Sequence, residues 1–199
     1  MSVYFGSGDG RSSILRWPLV RLRRLLPAPP SHRHREANGP HRDSGPSGWL
    51  GPARVVWALA LAREKRQKLW QAKLARERGR LVICDRYPQA QIPGINDGPL
   101  LDGWRHSQRR LAHVLARREA LPYEAAERIP PDLVLRLVVD QGTAEQRRPD
   151  HDPDDLRRRR DLVASLRFDR ARHGVVEINA GLPYARVLTD AAEAIRRHL

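Results

Sequence analysis

Three short apolar runs constrain the chain more than any other feature: RLVIC at 80–84, DLVLRLVVD at 132–140 and GVVEINA at 174–180. Each reads as a strand, and the continuous rather than alternating apolar character of the first two suggests burial on both faces. Between them lie stretches of helical character. Arg54 to Arg78 consists of good helix formers with apolar Val55, Leu59, Ala62, Leu69 and Ala72, and stops at Gly79, a suitable C-terminal cap. Trp104 to Ala120 is helical with Leu111, Val114 and Leu115 on one face, and Pro130 and Pro131 close that region. Asp152 can cap a further helix, with Pro153 in its first turn and Asp154 and Asp155 at the positive end of its dipole. A last helix starts near Tyr184 and offers Leu188, Ala191, Ile195 and Leu199 to a core. Strands separated by helices of this length predict an α/β fold: a parallel sheet with helices on both faces.

In such folds ligands gather at the carboxyl ends of the strands, which directs attention to residues 85–91, 140–143 and 179–183. The 199 residues suffice for one core and predict a single domain. Residues 27–52, PAPPSHRHREANGPHRDSGPSGWLGP, are non-periodic and rich in Pro, Gly and Ser, and read as a flexible insertion. His32, His34 and His41 within it have no acidic or cysteine partner at ligand spacing, so no metal site is expected there.

The formal net charge of +14 calls for an anionic partner: nucleic acid, lipid or a phosphorylated small molecule. Most of that charge is arginine in a chain also rich in Ala, Gly and Pro, a pattern that coding bias alone produces. Eleven scattered aromatics (five Trp, four Tyr, two Phe) form no stacking platform, so a nucleic-acid partner is not expected. The longest apolar run, Val55 to Ala62, is too short to span a bilayer, and there is no signal pattern, so no membrane partner is expected. One cysteine, Cys84, excludes a disulfide framework and suits a reducing cytoplasm.

An apolar Val3-Tyr4-Phe5 precedes the glycine-rich GSGDGRSS at 6–13, and a helix is expected from Ile14 to Leu26. Laid over G-x-x-x-x-G-K-[ST], this stretch puts Gly10 and Ser12 in place, but Phe5 stands at the first glycine and Arg11 at the lysine. Arginine is no neutral replacement for a lysine that must fit among phosphate oxygens. The three lysines, Lys65, Lys68 and Lys73, all fall in one predicted helix. The stretch therefore reads as a turn without the phosphate-binding lysine.

At the end of the first strand stands DRYPQ, Asp85 to Gln89. Asp85 could ligate magnesium or orient an acceptor while Arg86 grips a phosphate bidentately; the alternative is an ordinary ion pair. After the second strand, Arg147, Arg148 and Arg157 to Arg160 surround an acidic cluster over 141–160, as in a lid closing on a polyphosphate or, for 157–160, a solvated helix face.

In this order along the chain, GRLVICDRYPQ, PPDLVLRLVVDQGTAEQRRPD and GVVEINAGLP resemble the thymidylate kinase-like branch of the P-loop nucleoside monophosphate kinases, over roughly residues 79–199. The resemblance implies transfer of the ATP γ-phosphoryl group, with Mg2+, to a nucleoside monophosphate or similar acceptor. It implies that Arg86, with Tyr87 and Gln89 beside it, faces the acceptor phosphate and that Asp85 belongs to the magnesium and acceptor site. Arg147 or Arg148 would be lid arginines, and Asn179 and Ala180 would border the base. The family's first strand and Walker A loop have no counterpart, VYFGSGDG falling on its second strand with Arg11 near the acceptor. The expectation is therefore a native start upstream of Met1, and little kinase activity from residues 1–199 alone. After the DR-Y motif the family's thymine-facing stretch is replaced by Gln89-Ala90-Gln91-Ile92-Pro93-Gly94, so the acceptor need not be thymidylate. Asn96, Asp97 and Gly98 offer either a surface turn or the lining of another acceptor pocket. Homodimerisation is common in the resembled family. The competing reading is a catalytically dead relative that retains nucleotide binding, and behind it stands a basic nucleic-acid-binding protein using the arginine-rich segments.

Overall fold

The computed structural model describes residues 1–6, 50–93 and 98–198. Arg11, the helix expected at 14–26, most of the 27–52 segment, Asn96, Asp97 and Leu199 lie outside the described residues.

The fold is α/β with parallel strands. In chain order the elements are β1 (Ser2–Tyr4), α1 (Leu50–Glu77), β2 (Ile83–Asp85), a 3-10 turn (Asp102–Trp104), α2 (Arg110–Arg128), β3 (Val134–Val138), α3 (Gln141–Arg147), α4 (Pro153–Ser165), β4 (Val175–Asn179) and α5 (Tyr184–Arg196). The described strands form two parallel pairs rather than one continuous sheet: β1 with β2, in register Val3↔Cys84, and β3 with β4, in register Arg136↔Glu177. The chain divides into two compact units, Met1–Ala126 and Glu127–Leu199, and each pair belongs to one of them.

In the first unit α1 buries Ala58, Leu61, Ala62, Lys65, Leu69, Ala72 and Ala75, a stripe at three- and four-residue spacing that follows the helical period. Ala58 meets Leu101 and Ala116 in a small core flanked by Val55, Leu100, Trp104 and Leu115. The helix begins at Leu50, earlier than expected, with Pro52 in a first turn that needs no amide donor from it.

The helix expected from Trp104 to Ala120 is displaced. Asp102–Trp104 is a 3-10 turn, and α2 starts at Arg110 and runs through Pro122 to Arg128. Its buried stripe, Ala116, Glu119, Ala120, Tyr123 and Ala126, continues on both sides of the proline, and this packing outweighs the missing hydrogen bond. The face is also rotated: Leu111 is 72% exposed and Val114 47%.

β2 departs from the expectation of burial on both faces. Side chains alternate along a strand, so Val3, Phe5 and Cys84 share one face, and Val3 and Phe5 are buried. Ile83 points to the other face and is 55% exposed.

In the second unit α5 packs along β4 and α3 against α4. Ala194 is the buried residue of α5 among those described, whereas Leu188, expected in the core, is half-exposed. Asp152 caps α4 as expected, accepting the N–H of Asp154 at 2.9 Å with Pro153 in the first turn.

Gly79 ends α1 at φ +70°, and a Cβ there would meet nothing within 4 Å. Gly79→Ala should therefore cost only backbone conformation, about 1 kcal/mol in urea unfolding, and Gly79→Asn should recover part of it.

Candidate functional site

Parallel pairing brings the carboxyl ends of β1 and β2 to one edge, where the Phe5 N–H donates to the Asp85 carbonyl at 3.0 Å. The next residue, Arg86, adopts φ +56°, a left-handed backbone held by a residue with a full side chain. Such a conformation costs roughly 1–2 kcal/mol and persists where its surroundings hold it. The Arg86 guanidinium carbon lies 5.9 Å from the centre of the Tyr4 ring, and the Lys68 ammonium 6.0 Å from the same ring. Lys68 also donates to the Tyr4 carbonyl at 2.6 Å and pairs with Glu64 at 2.6 Å. Two cations from different elements thus converge on the end of β1.

Asp85 is exposed, and among the described residues its carboxylate enters no ion pair, so the simple Asp85–Arg86 pair does not form. Tyr87 packs edge-on against Phe5, with ring centres 5.8 Å apart. Burial, with a contribution from the Cys84 sulfur, pushes the Tyr87 phenol well above its usual value and keeps it a neutral donor. Burial pushes the Cys84 thiol up to about 11. Gln89 is buried and turned onto its own loop, its Nε2 donating to the Ile92 carbonyl at 3.0 Å and its Oε1 accepting the Ile92 N–H at 2.8 Å.

In the second unit Asp140 follows β3 and caps α3: its Oδ1 accepts the Thr143 N–H at 2.9 Å and its Oδ2 the Thr143 hydroxyl at 2.7 Å. These bonds hold the carboxyl below the usual carboxylate range. At the end of β4, Asn179 Oδ1 accepts the Gly181 N–H at 2.9 Å. A Cβ on Gly181 would sit 3.0 Å from Asn179 Oδ1 and 3.5 Å from Asp140 Oδ2, so glycine keeps the two strand ends close. Arg147 donates to the Ala180 carbonyl at 2.8 Å, joining α3 to the loop after β4.

Arg148 caps the end of α3, and its guanidinium makes no hydrogen bond or ion pair among the described residues. On α4, Arg157 and Arg159 pair with Asp154 and Asp155 of their own helix, at 3.3 and 3.6 Å, and Arg160 pairs with Asp161 at 3.0 Å. Arg157 and Arg159 behave as a solvated helix face, whereas the half-buried Arg160 also donates to Gln141 Oε1 on α3 at 3.5 Å.

Asp85, Arg86, Tyr87 and Gln89 thus share the β2 end, and Arg147, Asn179 and Ala180 share the β4 end. Sequence reasoning missed Lys68, whose signal is the Glu64–Lys68 spacing on one helix, and Asp140, placed three residues before a helical threonine. Among the described residues no three His, Cys, Asp or Glu side chains converge as a metal cluster. No helix among them is long and apolar enough to cross a membrane.

Parallel strands with polar and cationic residues at their carboxyl ends define the class: an α/β protein of the kind whose ligands gather at the strand ends. The chain is 31% identical to the uncharacterized ATP-binding protein YghR of Escherichia coli K12 over 196 residues, covering 95% of this chain and 71% of YghR. It is 28% identical to the uncharacterized ATP-binding protein YghS of the same strain over 208 residues, covering 99% of this chain and 80% of YghS. The chain belongs to the YghR family. No family model matches it, and no solved structure matches it significantly.

Two measurements probe this geometry. Because the Asp140 pKa is depressed on folding, its stabilisation is present above the ordinary carboxylate range and is lost as pH falls through the folded value. The stability advantage of the wild type over Asp140→Asn should therefore shrink between pH 6 and pH 3 in urea unfolding. With its thiol near 11 instead of 9.0, Cys84 should react with iodoacetamide at pH 8 about ten- to a hundredfold more slowly than an unperturbed cysteine.

Proposed function

We propose that this chain binds ATP and serves the transfer of its γ-phosphoryl group to a nucleoside monophosphate or similar phosphorylated acceptor, in the manner of thymidylate kinase-like enzymes. The observation that carries this reading is the end of β2, where Arg86 is held at φ +56° beside an Asp85 carboxylate free of ion pairs among the described residues. A strained cationic residue at a strand terminus is suited to gripping an acceptor phosphate through two parallel hydrogen bonds. The printed names of YghR and YghS, both ATP-binding proteins, support a nucleotide as the other substrate.

Asp85 fits Mg2+, which keeps several waters and takes one or two carboxylates together with substrate phosphates. Bound there, the ion would neutralise charge on the phosphates. Asn179 and Ala180 would border the base. Arg148 would be the lid arginine available to the transferred group, while Arg147 is occupied by Ala180. The protein's share of the work would be positioning and charge stabilisation.

A second reading is nucleotide binding without turnover. It is favoured by the lysines: Lys68 is engaged by Glu64 and the Tyr4 carbonyl, Lys73 lies 3.6 Å from Glu77, and Lys65 is buried over the Tyr123 ring.

One assay separates the readings: purified protein with Mg2+, γ-labelled ATP and each common nucleoside monophosphate. Label on a monophosphate supports the transferase; ATP binding without transfer supports the binding module; neither overturns both. In the first case Arg86→Ala should lower kcat/KM for the acceptor about a hundredfold, Arg86→Lys should recover only part, and ATP affinity should stay within about twofold.

A further inference from the structure

The side of α2 that faces away from its alanine seam differs from an ordinary solvated helix face. At 3.6 residues per turn, Arg110, Leu111, Val114, Arg117, Arg118 and Leu121 fall within about a third of the helix circumference. All six are exposed, Leu111 at 72%, Leu121 at 50% and Val114 at 47%. No acidic residue shares the stripe: Glu119 belongs to the buried side, and Glu124, at the edge, pairs with Arg105 at 2.8 Å. Among the described residues the guanidinium groups of Arg110, Arg117 and Arg118 enter no ion pair or hydrogen bond. On α4, by contrast, Arg157 and Arg159 each pair with a carboxylate one turn away.

The stripe also has a recess at one end. An open cavity of about 600 Å3 adjoins the start of α2, where His106, Ser107, Gln108 and His113 line it together with Arg110 and Val114 of the stripe. His113 Nδ1 donates to the Arg105 carbonyl at 2.6 Å, and the Arg105 side chain, also in the wall, is held by Asp102 at 3.4 Å and by Glu124. The recess thus offers hydroxyl, amide and imidazole groups beside the unpaired Arg110.

Exposed aliphatic side chains set among cations that have no partner within the chain suit an occupant that is apolar and acidic at once. A nucleic acid has no use for three aliphatic side chains, and a flat bilayer has no protruding group to enter the recess. A second copy of this chain, docked by the same face across a two-fold axis, would bring arginine against arginine. We propose that this face of α2 docks an acidic amphipathic helix of a partner protein: apolar side chains of the partner cover Leu111, Val114 and Leu121, its carboxylates meet Arg110, Arg117 and Arg118, and one of its acidic side chains enters the recess. The inference stands on the first unit alone and does not depend on the proposed transfer reaction.

The test uses the whole chain and a fluorescent three-heptad peptide with leucine at a and d and glutamate at e and g, whose like charges keep it from pairing with itself. The same peptide with glutamine at e and g, phosphatidylglycerol vesicles and duplex DNA are the comparison probes, all at physiological salt. The acidic peptide should bind at least about tenfold more tightly than the glutamine peptide and slow amide exchange along residues 110–121. Leu111→Gln combined with Leu121→Gln, and separately Arg117→Gln combined with Arg118→Gln, should each weaken that binding at least about tenfold. Arg157→Gln combined with Arg159→Gln, which removes the same charge from α4, should change it by less than about twofold. All these positions are exposed; should the leucine pair fail to fold, the arginine pair and the exchange pattern give the answer. Absence of peptide binding overturns the inference, as does binding that the α4 pair weakens equally or the leucine pair leaves unchanged, for then charge alone is responsible. Vesicles or DNA bound more tightly than the peptide and released by the α2 variants, or a dimer that those variants dissociate, overturns it in favour of another occupant.

Discussion

Parallel pairing is the constraint from which the site geometry derives. Two parallel strands must be joined by a crossover, so their carboxyl ends emerge along the same edge and the residues just beyond them become neighbours. This is why Tyr4 and Arg86, far apart in sequence, come within 5.9 Å, and why Asp140 and Gly181 close on each other after β3 and β4. The same pattern recurs in each unit with different strands. In both, the polar side chains at that edge first satisfy the backbone: Asp140 caps α3, Asn179 closes a turn, and Gln89 closes another.

The core of the first unit is built from small residues and tolerates charge. Ala58, Ala62, Ala72, Ala75, Ala116, Ala120 and Ala126 are all buried, alongside Lys65, Glu64 and Glu119. Alanine seams let helices approach closely, but they leave room that long amphipathic side chains can fill with their methylene stems. Lys65 does so with its ammonium 5.4 Å from the Tyr123 ring centre, where the face of an aromatic partly replaces water for the cation. Polar groups in such a core must be matched, and Glu119 is matched by two backbone donors.

The strands were legible because short apolar runs of Val, Ile and Leu have few other uses. β3 and β4 fall inside DLVLRLVVD and GVVEINA, and the cap of α4 follows from Asp152 and Pro153 alone. The face and limits of α2 were not legible. A proline at 122 and large apolar residues at 111 and 114 point to a shorter helix with another buried side, whereas the burial is set by alanines, whose hydrophobic signal is weak. The site was legible to the same degree: DRYPQ marks the β2 end, but the role of Gln89 depends on which backbone groups the loop leaves unpaired, and no spacing rule encodes that.

The backbone of Arg86 joins the strand pairing to the loop beyond it. A left-handed conformation at a strand terminus turns the chain sharply, and glycine would adopt it without strain. Arginine stands there instead, so the stabilisation must come from its side chain and from the residues after it. The Tyr4 ring accepts the guanidinium on one side of the turn, the Phe5–Tyr87 contact packs the next residue, and the buried Gln89 closes the loop two residues later. Each of these contacts depends on the turn, and together they hold it. The turn consequently fixes the direction of the Arg86 Cα–Cβ bond, and the Tyr4 ring holds the guanidinium beside the end of β1.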